Sequence, residues 1–489
     1  MRMNLFPMRM RARSALLSVL VSATLSACAV GPTFERPSVP ESSKNAIAAP
    51  SIPDQQFKVG QSVPANWWTL FNSDALNQLV QQARENNQEL AAAQAAVQQA
   101  QELVTARTGA RYPELDLTAG IGRQKYGSQF LGPFPKPPPF TYYAFGPAVS
   151  YTLDYTGGIG HEIEQQQALA EYQQRQGQAA HLAITGNVVQ QVLAVAAAQA
   201  QIQTLQEVLA DDRRNVEMIQ AANDAGSVSR VDVLSAQNQL ASDETLLPTL
   251  KQQLSVAQHA LAVLVGKTPG EMPISQLDLD AFKLPEQIPV TLPSEWVRQR
   301  PDILAAEAQL HAASAAVGVA TASLYPRITL SASFSQQTLD ASELFDSANS
   351  AWGLVSALTA PIFDGGKLRA EKRASLSALA AQSARYKQVV LQSFAQVADA
   401  LDAIAHSGEQ LSAESQAVKV AEQSLALTRE SYNEGNVGVL QVLDSERLYQ
   451  QARLGYVRAQ AQRLQDTARL FVAMGGGDES QMTASTPAR

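Results

Sequence analysis

The chain of 489 residues has a single cysteine, Cys28, so it can build neither a disulfide framework nor a cysteine-based metal cluster. Charge is scarce: 17% of residues are Asp, Glu, Lys or Arg, and the formal net charge is −8. An acidic chain lacks the basic face that phosphate backbones require, which argues against a nucleic-acid partner. Histidines are few and scattered through helical sequence, at His161, His181, His259, His311 and His406. Only His161 with Glu162 and Glu164 resembles a ligand set, and no metal is expected. Gly157-Gly158-Ile159-Gly160 looks like a phosphate loop without the following Lys-Ser/Thr; its plainer role is to turn a strand into a helix. With neither a nucleophile elbow nor a zinc-protease signature, no catalytic residue is assigned and neither an enzyme nor a cofactor is expected. The hydrophobic share of 45% excludes a disordered chain, yet much of it is alanine. From Leu90 to Ala100, six of eleven residues are Ala and three are Gln. Such sequence makes good helix and little bulky core, which counts against one large compact globule.

What is present begins with an export signal. Arg2, Arg9, Arg11 and Arg13 precede an apolar stretch from about Ala15 to Leu25, too short for a comfortable transmembrane helix. It ends Leu25-Ser26-Ala27-Cys28, which resembles the lipobox of bacterial lipoproteins. That resemblance implies cleavage after residue 27, acylation of Cys28 and anchoring in lipid. Ala29, where an Asp would imply retention at the inner membrane, points to the outer membrane. Loss of four arginines takes the formal charge from −8 to −12.

The rest reads as one unit written twice. Leu90-Ala91-Ala92-Ala93 answers Ile303-Leu304-Ala305-Ala306, and Tyr112-Pro113 answers Tyr325-Pro326, both 213 residues on. Ala225-Gly226-Ser227-Val228 answers Glu434-Gly435-Asn436-Val437 at an offset of 209. Val188, Val195, Ile202, Leu209 and Val216 recur every seven residues, and Val397, Ile404, Leu411, Val418 and Leu425 repeat the seam at the same offset. A sustained seven-residue apolar period means coiled-coil packing. The proline-free stretch from Gly366 to Glu434 predicts a helix of about 100 Å, several times a bilayer thickness. Each copy also carries two alternating segments, at about 114–123 and 140–153 and at about 327–336 and 351–363, and in the first copy ten of the chain's thirty aromatics lie between Tyr112 and Tyr155. Strands of about ten residues with aromatic girdles suit a transmembrane β-barrel. Four strands cannot close one, so several chains must pool them; closure alone leaves the number of chains open.

Several motifs then identify a family resemblance. Cys28-Ala29-Val30-Gly31-Pro32 with Phe34 and Pro37, Trp67-Trp68 with Leu70-Phe71, Gln299-Arg300-Pro301-Asp302-Ile303, Tyr325-Pro326, Pro361-Ile362-Phe363-Asp364-Gly365-Gly366, and Glu434-Gly435 with Val442-Leu443-Asp444 resemble the outer-membrane factors of bacterial tripartite efflux systems. They are most similar to the lipoprotein branch serving resistance-nodulation-division (RND) pumps. The resemblance implies a mainly α fold with a transmembrane barrel: a homotrimer with a twelve-stranded barrel, four strands per chain, continuous with a helical tunnel. It implies a passive duct for small molecules, with a periplasmic adaptor, an inner-membrane RND pump and outer-membrane lipid as partners. The expected organisation is a signal peptide over 1–27, an equatorial tail over 28–66, repeats over 67–266 and 294–474 joined by a Pro-rich linker over 267–293, and a tail over 475–489. By family topology, Gly226, Val228, Gly435, Val437 and Leu443 lie at adaptor-docking tips, with both valines exposed. Leu440, Asp444 and Arg447 match the resting constriction, and Asp232 is a further acidic candidate. The repeat partners Val231, Ser235 and Asn238 carry no charge, so one hairpin per chain would bear the charged ring. The outer component of a type I protein-secretion system and a structural coiled-coil envelope lipoprotein are the alternatives.

Overall fold

The computed structural model describes residues 30–38, 55–126, 138–272, 277–290 and 297–476; Cys28 and the lipobox lie outside them. The fold is mainly helical. In chain order the main elements are β1 (Gln56–Val59), α1 (Asp74–Asn86), α2 (Gln88–Thr108), β2 (Glu114–Gln124), β3 (Phe140–Leu153), α3 (Gly158–Asp224), α4 (Arg230–Glu244), α5 (Leu246–Leu264), β4 (Gln287–Val290), α6 (Pro301–Ala322), β5 (Arg327–Thr338), β6 (Ser350–Thr359), α7 (Lys367–Asn433) and α8 (Val439–Ala473). Both α3 and α7 have 67 residues. Each is about 100 Å long at the standard rise per residue.

The chain divides into two compact units. The first holds residues 97–173 and 306–386 with the segment before Pro37. Its centre is a four-stranded antiparallel sheet in the order β2-β3-β5-β6. The period-two alternation of the sequence sorts its faces. On one face the register aligns Leu115, Leu117 and Ile121 with Val149, Pro147 and Tyr143, then Leu330 and Phe334, then Leu354 and Trp352. On the other face stand Asp116, Thr118 and Gly120 with Ala148, Gly146 and Ala144, then Ser331, Ser333 and Ser335, then Gly353 and Ala351. The last strand, expected to run to Phe363, stops at Thr359. Pro361 has no N–H to extend the ladder, and Ile362 and Phe363 follow it outside the sheet, 97% and 92% exposed.

The second unit holds residues 37–96, 174–305 and 387–489. One part of its core is aromatic. Trp67, Phe71 and Phe471 are fully buried, with ring centroids of Trp67 and Phe471 5.5 Å apart, so the Trp67-Trp68 motif is a packing anchor. A short parallel pair, β1 with β4, ties segments 231 residues apart in sequence. Along the long helices the seven-residue seams face inward: Val188, Val195, Leu209, Val397, Ile404 and Leu425 are buried, and Ile202, Val216, Leu411 and Val418 are half-buried. Small residues make this close approach possible; a Cβ added at Gly186 of α3 would stand 2.7 Å from the Val472 side chain of α8.

Candidate functional site

Two helical hairpins in the second unit end in turns built alike. Gly226 and Gly435 both sit at φ +77°, the left-handed conformation that glycine adopts without a Cβ penalty. At the first turn the Gly226 N–H donates to the Asn223 carbonyl and Ser227 N–H to Ala222, each 2.9 Å. At the second, Gly435 donates to Tyr432 and Asn436 to Ser431, again at 2.9 Å. Both are Schellman terminations, which satisfy the carbonyls a helix leaves open at its end. The returning helix α4 then starts on a capping box: Asp232 accepts from the Ser229 N–H and hydroxyl, each at 2.8 Å. Asp232 therefore has a helix-starting task of its own. On α8 the Gly438 N–H donates to the Gln441 side chain instead.

Behind the turns, Ile219, Val233, Ala236 and Val439 form a buried cluster, with Val216, Val228 and Leu443 packed against it. Val228 and Val437 are thus half-buried rather than exposed as expected from the glycine turns. Val228 is drawn down onto the cluster behind the turns, which Val439 of the second hairpin joins. Leu440 is half exposed, and Asp444 and Arg447 follow at one and two turns along the same face of α8. Arg447 Nη2 donates to Asp444 Oδ1 at 2.5 Å, so the two charges stand as a surface ion pair.

Above the tip cluster lies a polar layer that the sequence reading missed. Glu446 of α8, 3% exposed, accepts from Asn215 Nδ2 of α3 at 2.6 Å and from Arg429 Nη2 of α7 at 2.8 Å. Gln450 Nε2 donates to Asp212 Oδ1 at 3.0 Å. Asp212 is itself 4% exposed, and its other oxygen has no hydrogen-bond partner. Burial pushes the Asp212 carboxyl up to about 6, and the neighbouring carboxylates of Asp243 and Glu446 add to the rise while the Gln450 bond opposes it. A second apolar cluster, Leu205, Val208, Leu209 and Leu454, closes the layer on its far side. The available signal was the heptad itself, because Asp212 stands seven residues from both Leu205 and Ile219, and Glu446 seven from Val439.

In the first unit the sheet leaves its apolar face bare: Leu115, Trp352 and Leu354 are each at least 70% exposed. Within the described residues β2 and β6 each pair on one side only. The two strand-to-helix corners use one device. Asp154 Oδ2 accepts from the Gly160 N–H at 2.8 Å, with Gly157 at φ +77°. Asp364 accepts from Gly366 and Leu368, both 2.8 Å, and these N–H bonds hold its carboxyl below the usual carboxylate range. The glycine-rich loop at 157–160 is thus a corner, not a phosphate cradle.

The histidine cluster differs from its expected membership. Glu164 joins His161 Nδ1 and His311 Nε2, each at 2.9 Å, while Glu162 pairs with Arg107. Burial raises the Glu164 carboxyl, but the bonds from His311 and His161 outweigh it and leave the group below its ordinary value. Phe34 stacks on His311 at 4.3 Å. Among the described residues no group of three or more His, Cys, Asp or Glu is arranged to hold a metal. The Gln299-Arg300-Pro301-Asp302 motif is an anchor: buried Arg300 donates from Nε and Nη2 to Asp302 and from Nη2 to Gln396 at 2.7 Å, and reaches the Ala473 carbonyl through Nη1.

Known proteins match this architecture over most of the chain. A family model described as outer membrane efflux protein matches residues 79–267 and 292–476. The pyoverdine export outer membrane protein OpmQ of Pseudomonas aeruginosa is 32% identical over 473 residues, covering 94% of this chain and 97% of that one. The cation efflux system protein CusC of Escherichia coli is 28% identical over 476 residues, covering 94% and 99%. Among solved structures, the outer-membrane channel OprN superposes with a TM-score of 0.85 at 27% identity, covering 92% and 99%, and the open-state Neisseria gonorrhoeae MtrE channel with 0.78 at 26%, covering 92% and 98%.

Proposed function

Since the chain belongs to the outer membrane efflux protein family, and so is the outer-membrane duct of a tripartite efflux system, we propose that it works as a lipid-anchored homotrimer. The observation that carries the reading is the sheet, with one apolar face, one face where small and polar residues predominate although Phe140, Tyr142 and Val355 also stand on it, and two edges open within the chain. An apolar sheet face suits lipid, and open edges in lipid leave backbone groups unbonded, so closure must come from other copies. Three chains would supply twelve strands, apolar outside and polar within. Exposed Ile362 and Phe363, immediately after the last strand, support burial against a neighbouring copy.

The chain is read as two repeats, 67–266 and 294–474, with the linker 267–293 between them. The double match of the family model supports this, as do α3 and α7, which share one length and begin 209 residues apart, at Gly158 and Lys367. Acylation of Cys28 anchors the mature N-terminus. The hairpin tips around Gly226 and Gly435, with Val228, Val437 and Leu443, form the contact surface for a periplasmic adaptor, and Leu440, Asp444 and Arg447 line the resting constriction. Small molecules delivered by an inner-membrane pump pass through without chemistry.

Outer-membrane fractionation followed by single-channel recording of the purified protein tests the reading. Recovery in the outer membrane with discrete conductance steps is expected; an outer-membrane protein that forms no pore would return the chain to the structural-lipoprotein alternative.

A further inference from the structure

The first two turns of α7 carry a charge cluster that neither the helix nor the corner before it requires. From Lys367 to Arg373 four of seven residues are basic, Lys367, Arg369, Lys372 and Arg373, against one acid, Glu371, in a chain whose formal net charge is −8. The next charged residue is Arg385, so the cluster is sharply bounded. A helix N-terminus bears partial positive charge, and cations are favoured at the opposite end. The other repeat makes the same corner without them: the aligned residues 158–164, 209 positions earlier, hold two glutamates and neither Lys nor Arg. Little within the chain balances the charge. Asp364 is engaged as the cap, accepting from Gly366 and Leu368, and Lys367 lies 3.9 Å from Glu371. Among the described residues Lys372 and Arg373 have no ion-pair partner. Arg369 stands three and four residues before them, so the three cations share one side of the helix, where Arg369 and Arg373 are exposed.

The sheet sets the depth of this cluster. Its register puts Leu153 opposite Ile328 and Ile328 opposite Leu358, so β3 and β6 leave the sheet at one level. At the β3 corner the N-terminal segment is tied down: the Val30 N–H donates to the Thr156 carbonyl at 2.9 Å, Phe34 stacks on His311, and Arg36 pairs with Glu307. Val30 follows Cys28 by two residues, a reach of at most about 7 Å, so acyl chains on Cys28 would enter lipid beside this corner. The end of the apolar sheet face and the anchor therefore mark one boundary. Residues 367–373 cover about 9 Å of helix just past it, the scale of one headgroup layer. We propose that Lys367, Arg369, Lys372 and Arg373 form a site for the headgroups of acidic phospholipids in the periplasmic leaflet of the outer membrane. The lipid phosphate supplies the counter-charge that the chain lacks here: guanidinium groups bind its oxygens through paired N–H donors, and the lysines add point charge. The apolar sheet face holds each protomer in hydrocarbon, and the basic cluster fixes how deep it sits.

The site rests on the reading of the chain as a lipid-anchored duct and is tested on the full-length protein. It is reconstituted in phosphatidylcholine vesicles that contain either pyrene-labelled phosphatidylglycerol or pyrene-labelled phosphatidylcholine. Energy transfer from tryptophan, chiefly Trp352 on the exposed apolar sheet face, then reports how far each lipid is enriched around the protein. Phosphatidylglycerol should be enriched at least about fivefold over phosphatidylcholine, a modest share of what several cations at an anionic surface can supply. The preference should fall to parity at about 1 M salt, where the Debye length is about 3 Å. Arg369→Gln, Lys372→Gln and Arg373→Gln combined should abolish it and leave single-channel conductance unchanged. The charge-conserving set Arg369→Lys, Lys372→Arg and Arg373→Lys should keep it, and with the salt dependence of the wild type this guards against a glutamine variant that fails to fold. Equal enrichment of the two lipids by the wild type would overturn the site while leaving the duct standing. So would a triple glutamine variant that keeps the lipid preference, and a shifted reversal potential in that variant would place the cations in the lumen instead. A protein that makes no pore in any lipid would overturn the duct.

Discussion

Asp444 and Arg447 illustrate how far one residue's chemistry reaches. They form an exposed i,i+3 pair on α8, and such pairs contribute about 0.2–0.5 kcal/mol to a helix. Their place at the mouth, and not their stability, is what makes them worth testing. Neutralising both, as Asp444→Asn with Arg447→Gln, should leave thermal unfolding nearly unchanged and raise resting conductance in planar bilayers; unchanged conductance removes them from the gate. Asp232 carries a different expectation because its carboxylate closes a capping box with Ser229. Loss of a cap costs about 1 kcal/mol, so Asp232→Ala should lower the melting temperature before it alters the pore.

Elements impose the next constraint. The two hairpin turns have open space where a Cβ would go, so Gly226→Ala and Gly435→Ala meet no clash. The whole cost is the left-handed backbone, about 1–2 kcal/mol per position. Each substitution should destabilise by that amount, read as a shift in denaturant midpoint, and the double variant should be additive because the turns are built separately. The same turns show what could be read from the chain in advance. Their glycines, the 209-residue offset and the seven-residue seams were legible because each depends on local backbone conformation or helical period. That Val228 and Val437 are half-buried was not, because burial depends on which neighbours packing brings, as Val228 shows by meeting a cluster that includes Val439 of the other hairpin.

At the level of the whole molecule, the sheet makes the sharpest demand. Leu354 stands midway along β6 on the apolar face and Ser333 beside it on the other face of β5. Leu354→Lys would put a charge toward lipid at a cost of about 2–4 kcal/mol near mid-bilayer, and should reduce recovery of assembled protein in the outer membrane. Ser333→Asp should assemble normally and shift the reversal potential toward cation selectivity. Equal damage from both would mean that the two faces are not divided between lipid and lumen.

The sequence by itself determined the periodicities. Alternating strands, seven-residue helical seams, glycine turns and the Asp154 and Asp364 corners are all written within a few neighbouring residues, where backbone geometry and side-chain spacing decide the outcome. Tertiary structure alone decided which polar residues meet. His311 joins His161 and Glu164 from 147 positions away from Glu164, and Asp212 finds Gln450 across 238 residues. No local rule links such positions. Burial and the neighbours that packing brings are why an apparently ordinary aspartate in a helical seam, Asp212, has its carboxyl pushed up to about 6.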